Sequence, residues 1–270
     1  MYVMTDFATL YIVRGPGFGQ DFTPKLIASA IAIALVIWDC RQQRRSDYAW
    51  VFFISTIVWA FTELFLSIQG IRDMPTRMLM GRPISLALSV LIQGMSEGAF
   101  VAVTGLFIGD RILKPSTRIG GFQFGGAVLL AIIASVARSR QFLASQYAAS
   151  RRDLLDLRTL SAFVLLSLII IVFLLMHRAW RQRVGMMFLC MTCLATVWTI
   201  AEVTISDRWV EIEAGQSYAH ASVSITAAVL TFDAVFEIAW IYASFLAIPV
   251  ALGLLRNPDP LPRIKPSRLP

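Results

Sequence analysis

Charged side chains are scarce in this chain of 270 residues. Asp, Glu, Lys and Arg make up 15% of it, hydrophobic residues make up 57%, and the mean hydropathy is +0.68. A soluble domain carries about 25% charged residues. The chain therefore has too little polar surface to face water on all sides, which excludes a cytosolic enzyme and an intrinsically disordered protein. The composition predicts an integral membrane protein in contact with the lipid bilayer, and we expect it in a bacterial inner membrane.

Histidine, lysine and cysteine are also rare. His177 and His220 fall at opposite predicted membrane faces, which argues against a transmembrane haem with two axial histidines. The three lysines lie at the ends of apolar segments or beyond them, which argues against a retinal Schiff base midway along the last helix. The three cysteines lie in or beside apolar segments, which favours packing over redox chemistry. No Glu-x-x-His pair, nucleophile elbow or phosphate-binding loop is present.

Seven apolar segments are long enough to cross a membrane, because about 20 helical residues span about 30 Å of hydrocarbon. No period-2 alternation indicates a barrel, so we predict that all seven are transmembrane helices of an all-α protein. The seven segments are residues 22–40, 48–71, 84–109, 119–137, 159–177, 184–206 and 221–254. The remaining regions are predicted to be an interfacial extension (1–21), an outer loop (138–158) with an amphipathic helix at 150–158, and a proline-rich cytoplasmic tail (256–270).

Basic residues lie in short clusters between these segments, where they fix membrane topology. They form no continuous basic face, so nucleic-acid binding is not expected. Thirteen of the 24 lysines and arginines fall on the side of the C terminus, and five of the other eleven lie in the long 138–158 loop, where charge has less influence. We therefore predict an outside N terminus and a cytoplasmic C terminus.

An internal repeat relates the two ends of the chain. The second segment matches the sixth at an offset of 139 residues, and the third matches the seventh at an offset of 140. The equivalent pairs are Trp59 and Trp198, Glu63 and Glu202, Gln93 and Asp233, and Glu97 and Glu237. The sequence thus predicts a three-helix repeat (22–113), a linker helix (119–137) and a second three-helix repeat (159–255) in parallel orientation.

Five acids interrupt the apolar segments: Glu63, Glu97, Glu202, Asp233 and Glu237. Each costs about 2.5–3.5 kcal/mol at the bilayer centre unless it faces the bundle interior or water, or is protonated. No lysine or arginine lies deep enough in any segment to neutralise them. Gln93 with Glu97, and Asp233 with Glu237, are spaced to share one helix face. We therefore predict a central acidic cavity, with protonated acids in a merely structural bundle as the alternative.

The predicted cavity suggests ligands as well. Trp59 and Trp198 would line it and hold a cation by their π faces, or serve as packing residues; Trp240 lies near Asp233. Glu97, Asp233 and Glu237 are candidates for a hard divalent metal ion. A transporter or channel for protons or other cations is the leading hypothesis, since seven-helix transporters with three-one-three repeats have a similar topology.

A membrane-embedded enzyme is the alternative. Glu63 and Asp233, with Trp59 and Trp240 nearby, resemble the acids of seven-helix integral-membrane terpene cyclases, which use a Glu in an early helix and an Asp in the last. The resemblance implies protonation of an isoprenoid-type substrate by a carboxylic acid, with Glu97 and Glu237 as further acids. The Asn-x-x-Trp-Glu and Pro-x-Glu-Glu patterns are absent. A sensor or assembly subunit is the third hypothesis.

Gly121 and Gly125 give the linker helix a small-xxx-small spacing that allows close helix approach. This face would form either a contact between two copies of the chain or a contact within it.

Overall fold

The computed structural model describes residues 9–15, 21–43, 46–74, 76–139, 149–214 and 217–255. Within these ranges, seven helices are long and apolar enough to cross a membrane, which confirms the predicted integral membrane protein. They are α1 (Thr23–Gln42), α2 (Asp47–Ile68), α3 (Leu86–Leu113), α4 (Pro115–Arg138), α5 (Leu157–Met176), α6 (Arg178–Thr204) and α7 (Val223–Ala251). The predicted tail (256–270) lies outside the described residues. So do parts of the predicted interfacial extension (1–8 and 16–20) and part of the predicted outer loop (140–148).

Connections on one side of the membrane form a β-sheet, so the prediction of an all-helical chain is wrong. Its five strands run antiparallel in the order β2-β5-β1-β6-β7, and two further short strands, β3 and β4, pair separately. The strands are β1 (Thr9–Arg14), β2 (Arg72–Asp73), β3 (Met78–Leu79), β4 (Arg82–Pro83), β5 (Ser150–Asp153), β6 (Arg208–Ala214) and β7 (Ser217–His220). In β6, Val210 and Ile212 alternate with Glu211 and Glu213, the period of a strand.

Two segments that were predicted otherwise supply the middle of this sheet. Residues Thr9–Arg14 of the predicted interfacial extension form the central strand, with Tyr11 opposite both Asp153 and Glu211. Residues Ser150–Asp153, predicted as part of an amphipathic helix, pair instead with β1 and β2. Strand pairing satisfies backbone groups that a lone segment at the interface would leave to water.

The sheet rests on the start of α7 through a small apolar core. Ile12, Leu154 and Val210 from the sheet side pack with Val229 and Leu230 of α7, and all five are buried. This contact holds the strands against the helical bundle, so polar side chains on the inner face of the sheet are directed at the helices beneath it.

The main core lies between α2, α3, α6 and α7. Its fully buried side chains include Leu106 of α3, Met187 and Met191 of α6, and Phe245 and Leu246 of α7. Close helix approach occurs where side chains are small. A Cβ atom on Gly98 would lie 2.6 Å from the Ser55 carbonyl oxygen and 2.7 Å from Trp59 Cβ, so α2 and α3 touch there through backbone.

The glycines of α4 make a contact within the chain. A Cβ atom on Gly121 would lie 3.0 Å from Arg111 Cβ and 3.1 Å from Ile112 Cγ1, and one on Gly125 would lie 3.6 Å from Ile108. Of the two predictions for this face, the described geometry thus matches packing against α3.

Two helices contain long π-helical segments, Gly94–Phe100 in α3 and Asp233–Trp240 in α7. Such segments are rare and often mark functional sites. Each contains or begins at an acid that the sequence singled out, Glu97 in α3 and Asp233 with Glu237 in α7. Both helices also start in the same way, since the hydroxyls of Ser85 and Ser222 accept hydrogen bonds from backbone N–H groups three residues ahead.

Candidate functional site

The five intramembrane acids lie in the half of the bundle next to the sheet, and each contacts at least one basic side chain. Glu63 and Glu202 are fully buried near the ends of α2 and α6, and Asp233 is 3% exposed. The expectation that no lysine or arginine neutralises these acids is wrong. Four arginines reach them from the sheet or its edges, and one lysine reaches them from the first turns of α1. The bases are Arg14, Lys25, Arg72, Arg152 and Arg208. We call these ten residues the ion-pair cluster.

In the first half of the chain, the pairs are formed by Glu63 and Glu97. Arg72 Nη1 lies 2.8 Å from one Glu63 carboxylate oxygen and donates to the other at 2.9 Å. Lys25 Nζ is 2.8 Å from Glu97 Oε1, and Arg14 Nη1 is 3.5 Å from the same oxygen. Glu97 thus joins the start of α1 to the central strand.

In the second half, two arginines bridge three acids. Arg152 Nη2 donates to Asp233 at 2.9 Å and to Glu237 at 2.5 Å. Arg208 donates to Glu202 at 3.0 Å and also to Asp233. The indole N–H of Trp198 donates to the other Glu202 oxygen at 2.7 Å, one helical turn away. Asp233 is therefore held between two guanidinium groups.

The cluster contains five acids and five bases, so its formal charge is zero when every group is ionised. Burial lowers the pKa of Arg14, but the carboxylates of Glu202 and Glu97 raise it by more, so the pKa lies above its usual value. Burial also lowers the pKa of Arg152, but the carboxylates of Glu237 and Asp233 raise it by more, so this pKa too lies above its usual value. Both side chains therefore stay charged at neutral pH.

A cavity of about 90 Å³ lies between the sheet and the helices; we call it the chamber. One part of its lining is charged and comes from the sheet and the π-helical segments. The other part is apolar and includes Phe100, Val101, Ile132, Leu194 and Ile238. The volume accommodates several water molecules or part of a larger ligand.

The structure brings some of the predicted site residues together around the chamber and leaves others away from it. Glu97, Asp233, Glu237, Trp59 and Trp198 line the chamber. Glu63 and Glu202 lie behind the lining and bind the lining residues Arg72 and Arg208. Gln93 is buried and Trp240 packs edge-on against Phe188, but neither residue is among those that line the chamber.

Metal binding by Glu97, Asp233 and Glu237 finds no support in the geometry. In the described part of the chain, no three His, Cys, Asp or Glu side chains form a group that could hold a metal ion. The three carboxylates contact guanidinium and ammonium groups instead, which occupy the positions that a cation would take.

A second charged group lies at the opposite ends of the helices. Arg183 donates two hydrogen bonds of 2.7 Å to the two carboxylate oxygens of Asp110 and one of 3.3 Å to Asp47. Tyr48 donates its hydroxyl to Asp110 at 3.1 Å and its backbone N–H to Asp39 at 3.3 Å. We call these five residues the opposite cluster; they line a second cavity of about 110 Å³.

The five bases of the ion-pair cluster were not predicted from the sequence, because the prediction considered only residues deep within the apolar segments. Two of them follow their acid closely in the chain, since Arg72 comes nine residues after Glu63 and Arg208 comes six residues after Glu202. An arginine just after an acid-bearing helix was therefore a usable signal. Arg14 and Arg152 carry no comparable signal, because only strand pairing brings them over the bundle.

Comparison of the chain with protein-family models, with curated proteins and with solved structures finds no match. The site itself is therefore the basis for assigning a function.

Proposed function

We propose that this protein is a small membrane transporter in which the ion-pair cluster binds the substrate and carries protons. The observation that carries the proposal is the pairing of five carboxylates with five bases at the chamber, five of the ten residues buried and five half-buried, within a bundle of membrane-spanning helices. Ionisable groups inside a membrane are costly, and they commonly mark the paths of ions and protons.

Gene duplication would give the bundle two equivalent halves around this site. The sequence offset of 140 residues places Gly94–Phe100 over residues 234–240, which overlaps the second π-helical segment almost completely. Each half also contributes a Glu near the end of its second helix that binds an arginine from the following connection. These matches support a parallel three-one-three repeat, in which the halves move relative to each other around a site between them.

Two charged cavities, one near each end of the bundle, favour transport. Glu97 in the chamber and Asp110 in the opposite cluster are 13 residues apart in α3, or about 20 Å along the helix. Along this stretch, α3 and α6 pack through buried apolar side chains, Leu106 from α3 and Met187 and Met191 from α6. Apolar packing of this kind between two polar cavities is what a closed state in alternating access requires. In the predicted orientation the chamber faces outward.

Protons would move through this cluster by exchange of partners. A carboxylate such as Glu237 that leaves Arg152 becomes an unpaired buried charge, which strongly favours uptake of a proton. A small cation would have to replace a guanidinium in the same way. Because the bases already balance the acids, the proton is the simpler of the two predicted cargoes.

The resemblance to membrane cyclases implies a different role that this arrangement does not favour. Acid catalysis on an alkene requires a neutral carboxylic acid that points at the substrate. Glu63 is bound to Arg72, and Asp233 is bound to both Arg152 and Arg208. A carboxylate held by guanidinium groups is an acceptor of hydrogen bonds, which suits an ion-coupled carrier better than a general acid.

Proton flux in liposomes tests the proposal. The purified protein is reconstituted around a trapped pH-sensitive dye, and flux is driven by an imposed potassium diffusion potential. We expect Glu97→Gln and Glu237→Gln to reduce proton flux at least tenfold, since each removes one proton-accepting carboxylate of the chamber. Asp73→Asn is the matched control, because Asp73 is an exposed acid on the same sheet. Wild-type flux in the Glu97→Gln, Glu237→Gln double variant would contradict the proposal.

A further inference from the structure

The charges that line the chamber do not balance, although those of the whole cluster do. Three carboxylates line it, those of Glu97, Asp233 and Glu237. Four guanidinium groups of the ion-pair cluster line it as well, from Arg14, Arg72, Arg152 and Arg208, whereas the guanidinium of Arg151 pairs with Glu211 at 2.7 Å. The acids Glu63 and Glu202 are buried behind this surface. A ligand in the chamber therefore meets a formal excess of one positive charge.

Hydrogen bonding in the chamber is unbalanced in the same direction. Among its described lining residues, the buried side-chain atoms without a hydrogen-bond partner are Trp59 Nε1 and Arg208 Nε. Both atoms are N–H donors, and Arg208 is only 2% exposed. A buried donor without an acceptor costs about 1–3 kcal/mol, so the site is complete only when an acceptor occupies it. Arg14 adds further donor capacity, because its contact with Glu97 is a long one of 3.5 Å.

The rest of the lining is apolar and comes from the membrane-spanning helices, with Phe100 in α3, Leu194 in α6 and Ile238 in α7. Donors and positive charge next to the sheet, with apolar walls deeper in the bundle, match one ligand chemistry. We propose that the chamber binds an anionic amphiphile, whose carboxylate or phosphate head group contacts Arg14, Arg208 and Trp59 while its apolar chain lies along the helix side chains. The inference rests on the proposed function, because this molecule would be the transported substrate.

The proposed exchange balances charge. The anionic head group takes the place of the Glu97 carboxylate on Arg14, and the Glu97 carboxylate takes up one proton from solution. One ion pair is broken, one is formed, and one O–H bond is made on Glu97. The net charge of the chamber is therefore the same before and after it binds one anion and one proton.

Binding of dodecyl phosphate to the protein in phosphatidylcholine nanodiscs tests the inference. A bromine on the chain carbon next to the head group quenches tryptophans that it contacts, and Trp59 and Trp198 are the tryptophans that line the chamber. We expect saturable quenching by the bromododecyl phosphate, with at least tenfold weaker binding of inorganic phosphate and of the matched trimethylammonium amphiphile. Phosphatidic acid added to the nanodisc distinguishes the sources: competition indicates a membrane lipid, and no competition indicates an amphiphile from solution.

Substitutions locate the site. Arg14→Gln is expected to weaken binding at least tenfold, because it removes a charged donor that has only a weak partner in the cluster. Arg158→Gln is the control, since Arg158 is exposed on the same side and changes the net charge equally. Should Arg14→Gln not fold, Trp59→Phe removes one N–H donor and leaves all charges in place, with an expected loss of at least threefold. Equal or tighter binding of the trimethylammonium amphiphile, or unchanged binding by both folded variants, would overturn the inference.

The two proposals fail separately. Binding of the phosphate amphiphile together with proton flux that ignores Glu97 and Glu237 would reject the transporter and leave the ligand site. Proton flux that depends on these acids, without binding of any anionic amphiphile, would leave the transporter and reject the ligand.

Discussion

Replacement of Arg208 by methionine should be among the most destabilising changes in this chain. Arg208 is 2% exposed and donates to Glu202, Asp233 and the Thr199 hydroxyl. Methionine has a similar length and no charge, so the change removes the charge without leaving a large cavity. What remains is a pair of buried carboxylates with fewer partners.

The size of the effect follows from what each carboxylate retains. Asp233 keeps its 2.9 Å hydrogen bond from Arg152, so it stays paired. Glu202 keeps one direct hydrogen bond, from the neutral indole of Trp198, and the weaker attraction of the more distant Arg14 charge. Removal of one partner of a buried ion pair costs about 3–5 kcal/mol, because the other charge is left uncompensated. We expect a loss of this size in the free energy of unfolding, dominated by Glu202.

A double-mutant cycle isolates this cause. Glu202→Gln alone removes one acceptor from Arg208, which still binds Asp233, and should cost about 1.5–3 kcal/mol. When it is combined with Arg208→Met, the glutamine is neutral and the uncompensated charge no longer exists. The double variant should therefore be at least about 1 kcal/mol more stable than the sum of the single losses predicts. Unfolding in mixed dodecyl maltoside and SDS micelles, followed by circular dichroism, measures each step.

Two results would refute this reasoning. A loss below about 1 kcal/mol for Arg208→Met would mean that the arginine is not a buried partner of these acids, since exposed ion pairs contribute that little. Additive single and double variants would mean that Arg208 and Glu202 do not interact, whatever the size of the individual losses.

The other predictions concern packing, a helix cap and pH. Gly98→Ala should lower the free energy of unfolding by about 1–3 kcal/mol, because the new Cβ atom would meet the α2 backbone. Gly126→Ala is the control and should be neutral in the same micelle assay, because a Cβ atom there would have no neighbour within 4 Å. Ser222→Ala should cost about 1 kcal/mol through the lost α7 cap, and full thermal stability of this variant would contradict the cap. Burial raises the pKa of Glu211, but hydrogen bonds from Arg151 and Trp209 outweigh this effect and lower the pKa below 4.5. Its stabilising contribution is thus present above pH 4.5 and lost as the pH falls through the lower pKa. Glu211→Gln should therefore flatten the loss of stability below pH 4.5, and an unchanged acid transition would count against it.

The helices and the convergence of the acids were predictable, since both follow from the membrane as a solvent. An apolar segment of some 20 residues must form a helix in lipid, so each predicted segment lies within a few residues of an observed span. An acid in such a helix must avoid lipid, and the four-residue spacing of Asp233 and Glu237 restricts both to one face of their helix. Glu97, Asp233 and Glu237 therefore line one chamber, as their positions indicated.

The bases that neutralise these acids were not predictable by the same logic. Arg14 and Arg152 lie in polar connections, where an arginine has no preferred depth and no fixed partner. Their positions depend on pairings between strands as far apart in the chain as β1 and β6, and each strand is only four to seven residues long. The alternation of apolar and acidic residues in β6 is visible in the sequence, but no feature of the sequence around β6 indicates that β1 pairs with it.

This division of charge between two layers has a mechanical consequence. The helices carry all five acids. The bases come from the sheet and its edges, apart from Lys25 at the start of α1. Any motion that separates the sheet from the helices must therefore separate ion pairs. In a medium of low dielectric constant the separated charges cannot be left bare. A proton on Glu97 or an anion on Arg14 would each satisfy one side of the broken pair, and both together would satisfy both sides. In the proposed transporter, opening of the chamber would therefore accompany binding of the two ligands, as coupled transport requires.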